Sequence, residues 1–367
     1  MAADAMALTG LRCRRIELRA LRIPLRVPYK LAFGPVAAFD TLLVEVASGA
    51  ESGVGEATYL PGYSDETAEA GWTRAAGLAA RMAGRTIREA GELAAGAHRE
   101  AAFTASAFAT ACGMLAGHPL LTVEKRQAVP LLAIVNAVDP AEFEPEIEAH
   151  LAAGYRTLKV KVGFDLEADI ARIRRIQEYV NGRAMLRLDG NQGYARDQAI
   201  RFAKSLEPEG IDLLEQPCAA GDWDSAVAVT RACPAPMMLD ESIFGIADIE
   251  RAAELEAARY VKLKLMKMGG LDDLVSGLRR IRDLGMIPVL GNGVAADVGC
   301  WMEACVAARE IDNAGEFNGF LKPATSLFRD PVAVEGGAMV LHPGGMPALD
   351  RDALESLTIK REVYGGS

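Results

Sequence analysis

The chain has 367 residues, half of them apolar and 6% aromatic, enough for a well-buried core spread over two domains. Its 40 basic and 50 acidic side chains give a formal charge of -10, which argues against a nucleic-acid binder while leaving room for a local positive site. No uninterrupted apolar run reaches membrane-spanning length, and the opening MAADAMALTG lacks the basic start and long apolar centre of a secretory signal, so a cytoplasmic protein without a membrane partner is expected.

Residues 15–21 alternate apolar and polar and predict a strand. A loop punctuated by Pro24, Pro28, Gly34 and Pro35 follows, then a second strand over 41–46 and a hairpin turn over 48–53. From 64 to about 117 the chain is rich in Ala, Leu, Arg and Glu with few breakers, which predicts helices. Together these segments predict an N-terminal α+β capping domain over 1–128.

Beyond Pro130 short apolar strands alternate with amphipathic helical stretches. Strands are predicted at 131–135, 157–160, 184–188, 211–214, 237–239, 260–263, 287–290 and 313–315. Eight such units, with no GxGxxG after the first strand, favour a closed parallel barrel over a doubly wound sheet. The barrel domain is placed at 129–325. The segment 326–367 contains one more strand-like run, 338–341, and is expected to return to the capping domain.

Cys13, Cys112, Cys218, Cys233, Cys300 and Cys305 are scattered without a CxxC, which predicts free thiols in a reducing compartment. His98, His118, His150 and His342 all fall outside the strand ends, so histidine catalysis is not expected.

The residues just past five consecutive strands are Lys161, Asp189, Glu215, Asp240 and Lys264, spaced by 28, 26, 25 and 24 positions, about one βα unit each. In a closed barrel these positions converge on one mouth. A single carboxylate there is readily read as a helix cap or an ion-pair partner. Three in consecutive units repel one another, and a divalent cation is the usual remedy. All-oxygen ligands on rigid strand ends suit Mg²⁺. Lys159 and Lys161 share one face of their strand, and Lys264 ends a strand across the mouth. A lysine near a bound cation and a second lysine has reason to lose its proton and serve as a base. Lys262 and Lys267 are read as ordinary solvent-facing lysines. No GxxxxGK[ST] loop or GxSxG elbow is present, so the carboxylates and opposed lysines point to carbon-acid chemistry beside a carboxylate.

The segments IPLRVPYKLAFG, GYSDET at 62–67, KVK at 159–161, LRLDGN, LEQP, MLDES and KLKLMKMGG at 262–270 resemble the enolase superfamily, in its muconate-lactonizing-enzyme subgroup. The resemblance spans nearly the whole chain. It implies a modified TIM barrel of the (β/α)7β type with an N-terminal α+β cap, and Mg²⁺ as cofactor with Mn²⁺ as a substitute. It also implies a small-molecule carboxylate substrate and a homo-oligomer, dimer or octamer. By resemblance Asp189, Glu215 and Asp240 match the metal ligands, Asn191 and Glu241 support that shell, Lys161 and Lys264 are the acid–base pair, and Lys159 assists the substrate carboxylate. Candidate substrate contacts are Tyr29, Phe33, Tyr59, Tyr63, Asn136, Asn292, Glu316 and Lys322.

Two departures bear on the outcome. In GNGVAADVG at 291–299, Ala295 stands where relatives carry a glutamate, and AGEFNGFLKP lacks the Asp-x-Asp pattern that holds a dipeptide ammonium. Racemisation or epimerisation at the carbon next to a carboxylate is the leading expectation. Cycloisomerisation and β-elimination share the same enediolate intermediate and stay open; a non-catalytic binding barrel is the remaining alternative.

Overall fold

The computed structural model describes residues 10–31, 34–60 and 66–366, organised around three sheets. The chain opens with three antiparallel strands, β1 (Arg15–Leu31), β2 (Gly34–Ser48) and β3 (Glu51–Tyr59). The predicted proline loop is instead part of a long β1–β2 ribbon. Its register slips between Pro24 and Tyr29, and a bulge of this kind is where a strand tolerates residues without an N–H. At the slip the ribbon leans on the barrel: Arg26 N–H donates to Lys322 O and Ala324 N–H donates to Pro24 O.

Three helices pack beside this sheet, α1 (Ala68–Met82), α2 (Ile87–Ala97) and α3 (Ala102–Leu115). Helix α3 is apolar nearly all round because it lies between the sheet and the barrel. Gly55 is what lets it come so close: a Cβ there would sit 2.0 Å from Ala107 O. On the other side of α3, Ser106 Oγ donates to Leu265 O of the barrel.

After β4 (Gln127–Pro130), seven parallel strands run in sequence order: β5 (Ala133–Val135), β6 (Thr157–Lys161), β7 (Met185–Asp189), β8 (Ile211–Glu215), β9 (Met237–Leu239), β10 (Tyr260–Leu263) and β11 (Ile287–Leu290). The helices between them are α4 (Pro140–Ala152), α5 (Leu166–Val180), α6 (Arg196–Lys204), α7 (Trp223–Ala232), α8 (Ile246–Glu254), the single turn α9 (Leu265–Met268), α10 (Leu271–Asp283) and α11 (Asp297–Glu310). Asp139, Asp165 and Asp222 cap α4, α5 and α7 by accepting from backbone N–H groups two or three residues on. Helix α10 buries Leu271, Leu274, Val275, Leu278 and Ile281, a stripe at helical spacing that faces the strands.

The predicted strand at 313–315 is reduced to one bridge, Leu131 with Gly315. That bridge still closes the barrel. Leu132 N–H donates to Gly315 O on one side, and Glu316 N–H donates to Leu290 O on the other. The chain is too close here for a regular pleat with side chains: Gly291 has φ 152°, and a Cβ on it would lie 2.3 Å from Glu316 N. The fold is thus a modified (β/α)7β barrel with an N-terminal cap.

The remaining chain forms β12 (Val334–Glu335) and β13 (Ala338–Leu341), which pair antiparallel with each other and with β4, then α12 (Arg351–Leu357) and β14 (Thr358–Gly365). β14 lies antiparallel beside β1 as the outer strand of the cap sheet. All six cysteines are free, and among the described residues no helix is long and apolar enough to cross a membrane.

One carboxyl group joins cap to barrel. Glu56 of β3 is buried and accepts from Ala296 N–H (2.6 Å) and Val298 N–H (3.2 Å) at the start of α11. Burial, with Asp297 nearby, pushes its pKa up to about 8. A folded-state pKa above the unfolded one means the native protein holds the extra proton, so stability falls as pH rises from about 4.5 towards 8. Glu56→Gln removes that proton linkage. Its unfolding free energy is expected to decline less steeply over this window, by up to about 1.4 kcal/mol per pH unit. Chemical denaturation at pH 5, 6, 7 and 8 checks this; equal slopes in the two proteins would contradict it.

Candidate active site

Parallel pairing places the ends of β6, β7 and β8 side by side, with Lys161 opposite Asp189 and Asp189 opposite Glu215. Side chains alternate along each strand, so Lys159 with Lys161, Asp189 with Arg187, Glu215 with Leu213, and Lys264 with Lys262 share the inward face. Below the mouth Leu213, Met238 and Val289 form a small apolar layer separate from the main core. Arg187 lies in the same lower part of the barrel, bonded to Asp212 Oδ2 (2.7 Å) and Ala314 O (2.8 Å).

Above that floor the structure brings together Lys159, Lys161, Asp189, Asn191, Asp240, Lys264, Asn292 and Glu316, which line one cavity, with Glu215 buried beside them. Lys159 Nζ lies 2.8 Å from Asp189 Oδ2, 2.9 Å from Glu215 Oε2 and 2.7 Å from Glu316 Oε2. Burial alone would lower its pKa, but these three carboxylates outweigh it and hold the ammonium well above its usual range. Burial likewise opposes the ionisation of Asp189, yet Lys159, Lys161 and Lys262 keep its carboxyl below the ordinary value. Glu215 goes the other way, pushed up to about 7 by burial and the Asp189 charge.

Lys161 and Lys264 line the same cavity from the ends of the second and sixth barrel strands. Lys161 Nζ donates to Asp189 Oδ2 (2.6 Å) and to Asn191 Oδ1, and its side chain keeps 21% exposure. Lys264 Nζ donates to Asp240 Oδ2 (2.7 Å) and is buried. Burial and the neighbouring Lys267 ammonium hold the Lys264 pKa well below that of a free lysine. Asn191 Nδ2 donates to Glu241 Oε1 (2.9 Å), and burial beside Asp240 raises the Glu241 carboxyl to about 8. Asn191, Gln192 and Gln216 all have positive φ (39°, 66° and 33°), so the backbone just past β7 and β8 turns through a region that non-glycine residues seldom adopt.

The remaining predicted contacts divide. Asn292 is buried at the mouth, donating to Met266 Sδ and accepting from Val294 N–H. Lys322 Nζ donates to Gly293 O (2.5 Å) beside it. Tyr59 points into the cap instead, its hydroxyl 2.7 Å from Thr104 Oγ1 and its ring against Gly71. Asn136 is exposed, with its amide donating to Ile134 O and Glu146. Phe33 and Tyr63 lie outside the described residues, as does the side chain of Tyr29.

Several polar residues at the mouth were not singled out by the sequence. Lys262 and Lys267, read as solvent lysines, are both 1% exposed. Lys267 Nζ donates to Asp240 O and Ile243 O and lies over the Phe244 ring. Gln216 ties the ends of β8 and β9 together, its Oε1 accepting from Asp240 N–H and Ser242 N–H. Glu303 of α11 is fully buried, accepts from Leu265 N–H, and contributes negative field at Lys264. The position of Gln216 within LEQP was a usable signal; the lysines offered none, because KLKLMK reads equally well as surface.

Among the described residues no three His, Cys, Asp or Glu side chains stand in metal-binding geometry, since lysine ammoniums lie between the carboxylates. The donor set nevertheless fits a hard divalent cation: carboxylate oxygens from three adjacent strand ends, with Glu241 Oε2 buried without a hydrogen bond and Glu215 Oε2 facing the Lys159 ammonium.

The enolase C-terminal domain-like family model matches residues 142–346. The L-Lys-D/L-Arg epimerase of Methylococcus capsulatus is 31% identical over 366 residues, covering 92% of this chain and 97% of that one. The L-Ala-D/L-Glu epimerase of Bacillus subtilis is 29% identical, covering 90% and 94%. Two solved structures share the fold at 22% identity and a TM-score of 0.86. One is a dipeptide epimerase from Cytophaga hutchinsonii complexed with Mg and D-Ala-L-Val (95% of this chain, 98% of that one), the other a muconate lactonizing enzyme from Pseudomonas fluorescens complexed with muconolactone (96% and 100%).

Proposed function

The chain belongs to the enolase superfamily, in its muconate-lactonizing-enzyme subgroup, and from that premise we propose that it is a racemase or epimerase whose proton transfers run between Lys161 and Lys264. It is an isomerase that abstracts a proton next to a carboxylate. The observation that carries the assignment of lysines is their placement on the second and sixth strands of an eight-position barrel, each held by a different carboxylate. Substrate bound between them presents one face to each.

Lys264, whose pKa burial and Lys267 hold well below that of a free lysine, takes the α-proton from one face, and the Lys161 ammonium returns a proton to the other. For the opposite configuration the roles exchange. The Lys159 ammonium, buried and firmly charged, offers positive charge to the substrate carboxylate as the enediolate forms. Asp189, Glu215 and Asp240 would hold Mg²⁺ (or Mn²⁺), with Asn191 and Glu241 orienting them, and the ion supplies Lewis-acid stabilisation of the developing charge. A cap of 1–128, a barrel of 129–325 and a returning segment of 326–367 fit this reading, because the cap ribbon bonds to 322–324 beside the mouth.

The substrate class follows from Glu316 and Asn318. Both Glu316 oxygens are engaged by Lys159, and Oε2 also by Lys262, which leaves this acid poorly placed to hold a substrate ammonium. Asn318 Oδ1 is buried without a hydrogen bond and lies 3.6 Å from where a Gly293 Cβ would stand. It is an acceptor for a substrate N–H of either kind; with Glu316 already engaged by two lysines, an acylated amino acid suits the site better than one with a free α-ammonium. A relative 25% identical is an N-succinyl-L-Arg/Lys racemase from Bacillus cereus. Proton NMR in D₂O with Mg²⁺, across N-acyl amino acids, free amino acids, dipeptides, hydroxy acids and lactones, tests the reading. Deuteration at the α-carbon with an intact skeleton is expected, fastest for N-acyl amino acids. New vinyl, keto or lactone signals would reassign the reaction to elimination or cycloisomerisation.

A further inference from the structure

Lys262 lies on β10 two residues before Lys264, paired in register with Val289 of the small apolar cluster of Leu213, Met238 and Val289. Its side chain is 1% exposed. Nζ lies 3.0 Å from Glu215 Oε1 and 3.4 Å from Asp240 Oδ2, and it also donates to Glu316 Oε2. A lysine this deep needs compensating charge, and here three acids from three separate places in the barrel converge on one ammonium. Glu316 in turn bridges Lys262 to Lys159, so the two ammoniums and the acid between them form one buried layer.

Taking Asp189, Glu215 and Asp240 as the metal carboxylates, as proposed above, we infer that Lys262 is a built-in counter-cation, a positioning residue that holds Glu215 and Asp240 together and competes with Mg²⁺ for them. The two effects have opposite consequences. An ammonium between like charges relieves their repulsion and stabilises the metal-free barrel. The same positive charge repels an arriving divalent cation and lowers its affinity. A lysine that merely fills space would show neither pattern: its loss would leave Mg²⁺ affinity unchanged or, through poorer packing, lower it. Glu316 sets the balance by drawing Lys262 partly away from Glu215 and Asp240.

The test is calorimetric titration of MgCl₂ into chelator-stripped wild type, Lys262→Met, Glu316→Gln and the Lys262→Met/Glu316→Gln double variant. Thermal unfolding of each is measured with and without Mg²⁺. Lys262→Met is expected to bind Mg²⁺ about tenfold tighter or more, to melt lower when metal-free, and to gain more from added Mg²⁺ than wild type. Glu316→Gln is expected to bind more weakly, because Lys262 is then left to Glu215 and Asp240. If Lys262→Met does not fold, the double variant carries the test. It removes a buried pair together and must bind Mg²⁺ more tightly than Glu316→Gln alone. Unchanged or weaker binding on loss of Lys262, with wild type still binding, overturns the role of Lys262 alone. Absence of any Mg²⁺ binding by wild type overturns the metal assignment and this inference with it.

Discussion

Replacing Lys264 with alanine is expected to lower kcat by about a thousandfold or more, and Lys161→Ala by a comparable factor, since each would remove one of the two general acid–base groups proposed above. The fold should survive both changes. Asp240 keeps Lys262 and Lys267 as partners when Lys264 is gone, and Asp189 keeps Lys159 when Lys161 is gone. Melting temperatures within a few degrees of wild type, measured beside steady-state rates on an active substrate, separate loss of chemistry from loss of structure. Near-normal turnover in either variant would remove that lysine from the mechanism.

Neutralising one of the proposed metal carboxylates is the second large effect. Partners one shell out from a metal typically change affinity by about 10–100-fold, so Glu215→Gln or Asp240→Asn should weaken Mg²⁺ by about a hundredfold or more. Asp189→Asn is expected to do comparable harm, because Asp189, like the other two carboxylates, is also ion-paired with lysines, here Lys159 and Lys161. Chelation should abolish turnover, with Mg²⁺ restoring it fully and Mn²⁺ in part. Titration calorimetry gives the affinities, and chelator-resistant activity would refute the metal assignment.

The parts of the fold that were legible in the sequence are those set by local periodicity. Each barrel strand from β6 to β11 is bounded to within a residue or two by its apolar run, and the strand-end charges gave its polarity. What failed to show was decided by distant contacts. Pro24 and Pro28 signalled a loop, but the chain opposite them continues as β2 and a register slip absorbs the mismatch. Residues 313–315 had the composition of a strand, yet the close approach of Gly291 to Glu316 leaves room for a single bridge.

The site divides along the same line. Spacing by βα units was enough to gather Lys161, Asp189, Glu215, Asp240 and Lys264, because a barrel converts that period into convergence at one mouth. It had no means of ranking neighbouring lysines in KLKLMK. Lys262 and Lys267 are buried only because Glu316, from the far end of the barrel, and Asp240 face them. Tyr59 looked like a mouth residue, but it ends β3 and its ring fills the gap left by Gly71 inside the cap. Charge complementarity between strands is a property of the closed barrel, and no window along the chain contains it.

The most direct test of the central claim follows exchange and inversion separately, using each enantiomer of an active substrate with Lys161→Ala and Lys264→Ala in D₂O. Two opposed lysines predict a split result. Each variant should exchange the α-proton of only one enantiomer, the one facing its surviving lysine, and should invert neither. Exchange of both enantiomers by a single variant, or inversion without the second lysine, would contradict the two-base account.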